Sequence, residues 1–417
     1  MTSDSTTEQE PQPQEPLGGL SAAARNVFTA ENSLLVTLLA IVIALVVGAI
    51  LMVVSDTDTL GKASYFFASP GDFLSAVWHD ISNGYTALFK GAVFDPATVN
   101  GTPAQFFGPI SNTLLNATPL IFGGLAVSLA FTGGLFNIGG QGQLITGAIF
   151  AAYVSFAWHL PGGLHVLVAI LAGALGGTLY GAVVGWLKAW RGAHEVIVTI
   201  MLNYVAFYLL GYLLNANGFH DPAKLGQAVS KPADADARLP HLFGDSVSTD
   251  VSLVIALAAT VAVAWFLKRS KLGFEVRALG INPRAARIAG IDVGRTQILA
   301  MGLSGLLFGL VGVVQTLGTT NPNDNSLSPN IDAGLGFDAI TVALLGRNRP
   351  WGIVGAALLF GAFNAGSSVM QASAQLPVDI VTVIKAVIVI FVAAPRLVQE
   401  LFRLRSRRAA VPTGGQA

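Results

Sequence analysis

The sequence contains no cysteine. Disulfides, thiolate metal sites and cysteine nucleophiles are excluded, and the fold must stand on packing alone. Charge is nearly as scarce, since only 11% of the 417 residues are Asp, Glu, Lys or Arg, against about 25% in an ordinary soluble domain. No G-x-x-x-x-G-K-[ST] stretch occurs, and Gly61-Lys62 lacks both the upstream glycine spacing and the following Ser or Thr. ATP hydrolysis is therefore not expected in this chain. His194-Glu195 opens like a zinc-protease H-E-x-x-H, but Val198 stands where the second histidine is required. No catalytic residue and no metal site is expected, and a formal net charge of zero gives no reason to expect nucleic-acid binding.

What remains is apolar: 53% of the residues are hydrophobic and 47 are glycine. Leu34 to Val54 runs 21 positions without a charge, enough to cross about 30 Å of hydrocarbon at about 1.5 Å per residue. Apolar runs and their breakers place spans at about 34–54, 110–134, 143–159, 164–187, 196–215, 251–267, 297–318, 335–346, 352–372 and 379–394. The expected fold is an all-α integral membrane protein, a polytopic bundle of about ten transmembrane helices. The eighth span is too short to cross as a straight helix and is expected to be tilted, broken or re-entrant.

Residues 1–32 are too polar to bury anything and have no basic region before a cleavage site, so they read as a disordered cytoplasmic tail rather than a signal peptide. The membrane domain then runs over 33–395, and 396–417 is a basic cytoplasmic tail suited to anionic membrane lipid. With the N-terminus inside, 17 of the 23 Lys and Arg residues fall on the cytoplasmic side, which predicts that both termini are cytoplasmic. Two segments, about 55–109 and 216–250, are then external, with Asp, Pro and aromatic residues suited to short interfacial helices that receive a partner.

Gly173, Gly177, Gly181 and Gly185 recur every four residues and line one helical face, where another helix can approach to backbone contact. Gly302, Gly305, Gly309 and Gly312 repeat the theme, as do Gly352, Gly355, Gly361 and Gly366 more loosely.

Two polar groupings interrupt the apolar runs. Phe136-Asn-Ile-Gly-Gly-Gln-Gly-Gln143 offers Asn137, Gln141 and Gln143; it is either a broken helix presenting amides to a cavity or a plain turn between spans. Glu195, Thr199 and Asn203 fall at i, i+4 and i+8 on one helical stripe, with Glu195 either a gate or a solvated surface charge. Asn364 is a weaker candidate for the same path. Lys385 lies inside the last span and is expected to pair structurally with an acid such as Asp338 or Asp379. Phe136, Tyr204 and Phe207 are available for stacking if they face a cavity.

The loop of about 268–296 predicts a short helix with Asn282 as N-cap, Pro283 in its first turn, Arg284 to Ala289 as its body and Gly290 as its stop. This loop resembles the coupling loop of ATP-binding-cassette (ABC) importer permeases, in the superfamily serving branched-chain amino acids, ribose-type sugars and nucleosides. Phe136 to Gln143, Glu195 to Asn203 and Gly336 to Gly346 look most like the nucleoside, or simple-sugar-like, uptake permeases, over about residues 110–395. The resemblance implies a type II importer-like fold with broken or short helices, in a bacterial cytoplasmic (inner) membrane.

It also implies a second homologous permease subunit forming a heterodimer, a cytoplasmic ABC ATPase that binds ATP and Mg, and an external substrate-binding lipoprotein. Gly280, Asn282, Arg284, Ala285, Ala286 and Gly290 would dock the ATPase; Asn137, Gln141, Gln143, Glu195, Thr199, Asn203 and Asn364 would line the path. Related permeases often carry Glu where this chain has Gln141. The rival readings are a permease for ribose-like sugars, an ion-coupled secondary transporter, which needs membrane-embedded acids or histidines that are scarce here, and a channel, for which no filter motif is present.

Overall fold

A computed structural model describes residues 33–402, apart from 100, 243, 245–247, 320 and 322–324. The tail expected over 1–32 and residues 403–417 of the basic tail lie outside the described residues. Among the described residues fifteen α-helices follow one another: α1 (Ser33–Ser55), α2 (Thr57–Ala63), α3 (Pro70–Ala92), α4 (Pro103–Thr132), α5 (Gly140–Ala157), α6 (Leu164–Arg191), α7 (Glu195–Leu213), α8 (Ser252–Arg269), α9 (Lys271–Ile281), α10 (Pro283–Ile288), α11 (Val293–Leu317), α12 (Leu335–Leu345), α13 (Pro350–Ala374), α14 (Asp379–Ala393) and α15 (Pro395–Leu401). No strand occurs among the described residues, only isolated bridges such as His220 to Ser230.

Seven of these helices, α1, α4, α6, α7, α8, α11 and α13, are long and apolar enough to cross a membrane. The chain is a polytopic, all-helical membrane protein. The other three expected spans fall on helices outside this set, α5 with 18 residues, α12 with 11 and α14 with 15.

The bundle has two distinguishable ends. Lys188, Arg191, Lys268, Arg269 and Arg295 cluster at the ends of α6, α8 and α11, and this is called the basic end. At the centre is α4, opened by a reciprocal cap in which the Gln105 amide donates to Thr102 and the Thr102 amide donates to the Gln105 side chain. Its residues from Ala117 to Ala130 are buried throughout, and Leu120, Phe122 and Leu125 join Leu144, Phe308 and Phe360 in the main core.

α6 and α11 lie antiparallel on the expected glycine face. A Cβ on Gly177 would stand 2.2 Å from the Gly305 carbonyl oxygen, and one on Gly181 would stand 2.3 Å from that of Met301. Only hydrogen atoms leave room for such an approach, which substitutes backbone dispersion contacts for the hydrophobic drive that lipid cannot supply. Gly302 and Gly355 do not share this role, since a Cβ on the first would meet only ordinary contacts and one on the second would meet nothing.

The two segments expected to hold short interfacial helices are built otherwise. Within 55–109, α3 is a 23-residue helix that leans into the bundle: a Cβ on Gly84 would meet the Met52 sulfur at 2.6 Å and one on Gly91 would meet the Gly366 Cα at 3.0 Å. Its small face permits that entry. The described residues of segment 216–250 are mostly irregular and are tied across the bundle end, with the Ser230 amide donating to the Leu327 carbonyl at 3.0 Å and the Leu239 amide to that of Leu317 at 2.9 Å.

Candidate functional site

The chain does not turn back at once after α4. Gly134 adopts a left-handed φ of 69°, and residues 135–139 then run without regular structure to the start of α5. Their depth is marked by Asn137, whose amide donates to Ser304 Oγ at 2.8 Å. Ser304 is 11 residues into α11 from Val293, about 16 Å from the basic end at about 1.5 Å per residue. This is the broken arrangement, with irregular backbone at membrane depth enclosed by protein.

Side chains replace the missing helical ladder. Asn137 Nδ2 donates to Gln143 Oε1 at 2.9 Å, and its Oδ1 accepts from the Gly139 amide at 3.0 Å. The Ser304 hydroxyl in turn donates to the Ala126 carbonyl at 2.7 Å. From α7, Asn203 Oδ1 accepts from the Gly142 amide at 2.9 Å and its Nδ2 donates to the Ile138 carbonyl at 3.0 Å. The glycines here are demanded by contact: a Cβ on Gly140 would sit 2.4 Å from the Phe308 ring, and one on Gly139 would sit 3.0 Å from Thr199 Cβ.

A second broken element meets this one. The described residues between α11 and α12 have no regular structure, and α12 begins at Leu335, where a Cβ on Gly336 would stand 2.8 Å from the Gln141 nitrogen. The N-termini of α5 and α12 therefore face each other within the bundle. Each brings the positive end of its dipole and first-turn amides outside its own helical ladder.

Beside this meeting point is a cavity of about 460 Å³ lined by Ile138, Gln141, Ile200, Asn203, Tyr204, Phe207, Tyr208 and Phe337. Tyr204 is 58% exposed and Phe337 is 63% exposed, so in the single chain the cavity opens to one side. A second cavity of about 410 Å³ includes Phe131, Phe136, Ile340 and Leu344 and shares Ile138 with the first. Among the described residues, no group of three or more His, Cys, Asp or Glu side chains could hold a metal.

The sequence-derived site residues divide accordingly. Gln141 and Asn203 reach the larger cavity together with Tyr204 and Phe207, and Phe136 lines the smaller one. Asn137 and Gln143 are fully buried and spend their amides on each other and on Ser304, holding the broken segment rather than lining a cavity. Thr199 is fully buried and donates back to the Glu195 carbonyl at 2.8 Å. Glu195 pairs with Lys188 and accepts a long hydrogen bond from the Phe136 amide at 3.5 Å, so it is neither solvated nor in the cavity. Asn364 is drawn away entirely, its Oδ1 accepting from Lys385 Nζ at 3.2 Å while the same ammonium meets Asp338 Oδ2 at 2.8 Å. Ile200, Tyr208 and Phe337 were missed; Tyr208 follows Tyr204 by one helical turn, the signal that could have found it.

The loop before α11 folds as two helices. Asn282 Oδ1 accepts from the amides of Arg284 at 2.9 Å and Ala285 at 3.1 Å, capping α10 behind Pro283. Gly290 follows with a φ of 81°, which a side chain would strain. Arg284 and Ala285 are exposed, whereas Ala286 is buried. Gly280 abuts the end of α4, where a Cβ would stand 2.1 Å from the Thr132 carbonyl oxygen and 3.0 Å from the Gly134 nitrogen. Ile281 is 86% exposed and Ile288 is 89% exposed, two apolar side chains beside the cap that the basic residues of the loop had overshadowed.

Residues 109–393 match the family described as the branched-chain amino acid transport system permease component. The chain belongs to that family. It is similar to the guanosine ABC transporter permease protein NupP of Bacillus subtilis, 33% identical over 87% of this chain and 94% of that one. It is also similar to the nucleoside ABC transporter permease protein NupB of Lactococcus lactis, 32% identical over 89% of this chain and 93% of the relative. A glucose ABC transporter permease protein of Haloferax volcanii is 32% identical over 68% of this chain and 75% of its own. No solved structure matches the chain.

Proposed function

We propose that this chain is the membrane-spanning subunit of an ATP-driven importer for nucleosides, with solute passing along the faces of α5, α7 and α12. The observation that carries the reading is the larger cavity, where the side-chain amide of Gln141, and the hydrogen-bonding capacity that Asn203 keeps beyond Gly142 and Ile138, stand beside the rings of Tyr204, Phe207, Tyr208 and Phe337. Aromatic faces suit a planar base, and amides suit the hydrogen-bonding edge of a neutral solute. The two relatives matched over most of their length carry guanosine and nucleoside in their names, which supports the same substrate class.

The cavity is open on one side, and a second homologous permease in a heterodimer would close it. α10, with Asn282, Arg284, Ala285 and Gly290 flanked by exposed Ile281 and Ile288, docks a separate cytoplasmic ATPase that binds ATP and Mg. Its motion reaches the broken segment through the Gly280 contact with Thr132 and Gly134. Orientation follows the basic end: it faces the cytoplasm of a bacterial inner membrane, with both chain termini on that side. An external binding lipoprotein delivers solute to the opposite end. With α5, α12 with its irregular approach, and α14 added to the seven long helices, the crossings number about ten.

The similarity to a glucose permease favours one alternative, a sugar path through the same cavity. Uptake of radiolabelled uridine, adenosine, ribose and glucose decides between them in cells lacking this chain and in cells re-supplied with it. Nucleoside uptake is expected to be lost and then restored by the intact chain, but not by one in which Asn282, Ala285 and Gly290 are replaced by bulky residues. Loss confined to ribose or glucose would move the assignment to sugars. Uptake that persists when cellular ATP is depleted while the membrane potential is held would overturn the ATP-driven reading.

A further inference from the structure

Lys385 and Asp338 form an ion pair inside the bundle that the solute path does not use. Lys385 Nζ donates to Asp338 Oδ2 at 2.8 Å and to Asn364 Oδ1 at 3.2 Å, and lies 5.9 Å from the centre of the buried Phe360 ring. The lysine side chain is 13% exposed and the aspartate 25%. The contact ties α12 to α13 and α14 at the turn where α12 begins, two residues beyond the Gly336 contact with Gln141. A charged pair at membrane depth is expensive to build and is usually tied to function.

The neighbour of Asp338 supplies the function. Phe337 and Asp338 are consecutive on α12, so their side chains point about 100° apart around its axis: Phe337 lines the larger cavity while Asp338 reaches Lys385. Any rotation of α12 moves both. Its other close contacts are apolar core packing, Gly336 on the Gln141 backbone, Ala339 against Gly123 and the buried Val342 against Gly124, where Cβ atoms on the two α4 glycines would come within 2.7 Å of Ala339 Cβ and 3.0 Å of Val342 Cγ1. These contacts involve no polar side-chain atom. The helix is also separated from its neighbours by left-handed residues at both ends, Ala333 and Gly334 before it and Arg347 and Asn348 after it. To that packing the ion pair adds a directional, charge-assisted bond able to set its angle.

We propose that Asp338, Lys385 and Asn364 are positioning residues for transport: the ion pair fixes the rotation of α12 and so seats Phe337 at the wall of the solute cavity. The proposal rests on reading that cavity as the solute path, but its test needs no solute. Because the chain has no cysteine, Phe337→Cys creates a single reporter thiol. Its labelling rate by a water-soluble maleimide is measured in the assembled transporter, with the label read on this chain after the subunits are separated. Lys385→Met is expected to change the rate at position 337 by about fivefold or more, while Lys385→Arg, which keeps the donor, stays within about twofold. A reporter placed by Tyr204→Cys on α7, across the cavity, is expected to keep its rate in both backgrounds.

An unchanged rate at position 337 with Lys385→Met would overturn the proposal, and so would an equal shift at position 204, which would mean general loosening. If the Lys385→Met chain is not recovered in the transporter, Asp338→Asn carries the same comparison, since its shape is kept and only the charge is removed. Protection of the position 337 thiol by added adenosine is a separate readout that bears on the nucleoside path alone.

Discussion

α6 and α7 are consecutive apolar helices joined by residues 192–194, yet they are attached to the bundle by opposite means. α6 is fixed to α11 through glycines at four-residue spacing, backbone against backbone, with no polar side chain required. α7 turns the buried stripe of Glu195, Thr199 and Asn203 toward the start of α5, and one residue of that stripe, Asn203, holds the broken segment by two hydrogen bonds. Its other faces carry the exposed rings of Tyr204, Tyr208 and Tyr212. Glycine packing commits a helix to one position, because backbones that touch this closely fit each other in that register and find no substitute elsewhere. A helix attached by a few directional bonds can exchange them for others, which is the property required beside a path that must open. On the proposed solute path, α6 with α11 is therefore the scaffold, and α7 with α12 is the working wall.

The largest effect is expected where that scaffold is overfilled. In Gly177→Leu the first added carbon would meet the Gly305 oxygen at 2.2 Å and the Gly309 Cα at 2.6 Å, both backbone atoms that cannot rotate away. The helices must separate, at a cost of at least about 3 kcal/mol, the upper range for overpacking. The amount of folded chain extracted from membranes and its melting temperature in detergent should both collapse. Retention of both would show that α6 is as adjustable as α7.

An intermediate effect is expected on the working wall. Tyr204 contributes a ring to the cavity and is 58% exposed in the single chain, so Tyr204→Ala removes a contact for solute without opening the core. Stacking of a base on an aromatic ring contributes about 1–3 kcal/mol, which corresponds to roughly 5- to 150-fold in affinity. The half-saturation concentration for nucleoside uptake should rise accordingly while the amount of chain in the membrane stays level. Loss of the chain itself would place Tyr204 among the structural residues and blur the contrast between the two walls.

The scaffold was legible in the sequence and the working wall only partly so. The glycine spacing of α6 points to a packed face by arithmetic alone, and Asn282 before Pro283 announces the α10 cap, because both signals are local. The 136–143 segment showed that polar groups lie where lipid should be, but not which of them face inward. Asn137 and Gln143 find each other, and Asn137 finds Ser304 from 167 positions away, a pairing no local pattern encodes. Asn364 was drawn to Lys385 for the same reason. Phe337 escaped notice because a lone Phe in an apolar helix carries no sign of which side it takes, and the length and packing of α3 were not foreseen because its small face means nothing until Met52 and Gly366 are brought beside it.

The smallest effect is expected from a glycine on α7 itself, and it sharpens the comparison most. A Cβ on Gly211 would have nothing within 4 Å, in contrast to every member of the Gly173, Gly177, Gly181 and Gly185 row. Glycine within a helix costs about 0.5–1 kcal/mol relative to alanine, so Gly211→Ala should leave the melting temperature of the isolated chain unchanged or slightly higher. Uptake should also be unaffected if α7 faces open space at that point. A variant with normal stability but without uptake would mean that the surface around Gly211 is occupied in the assembled transporter, placing the second permease against the far half of α7 rather than against the cavity rim at Tyr204 and Phe337.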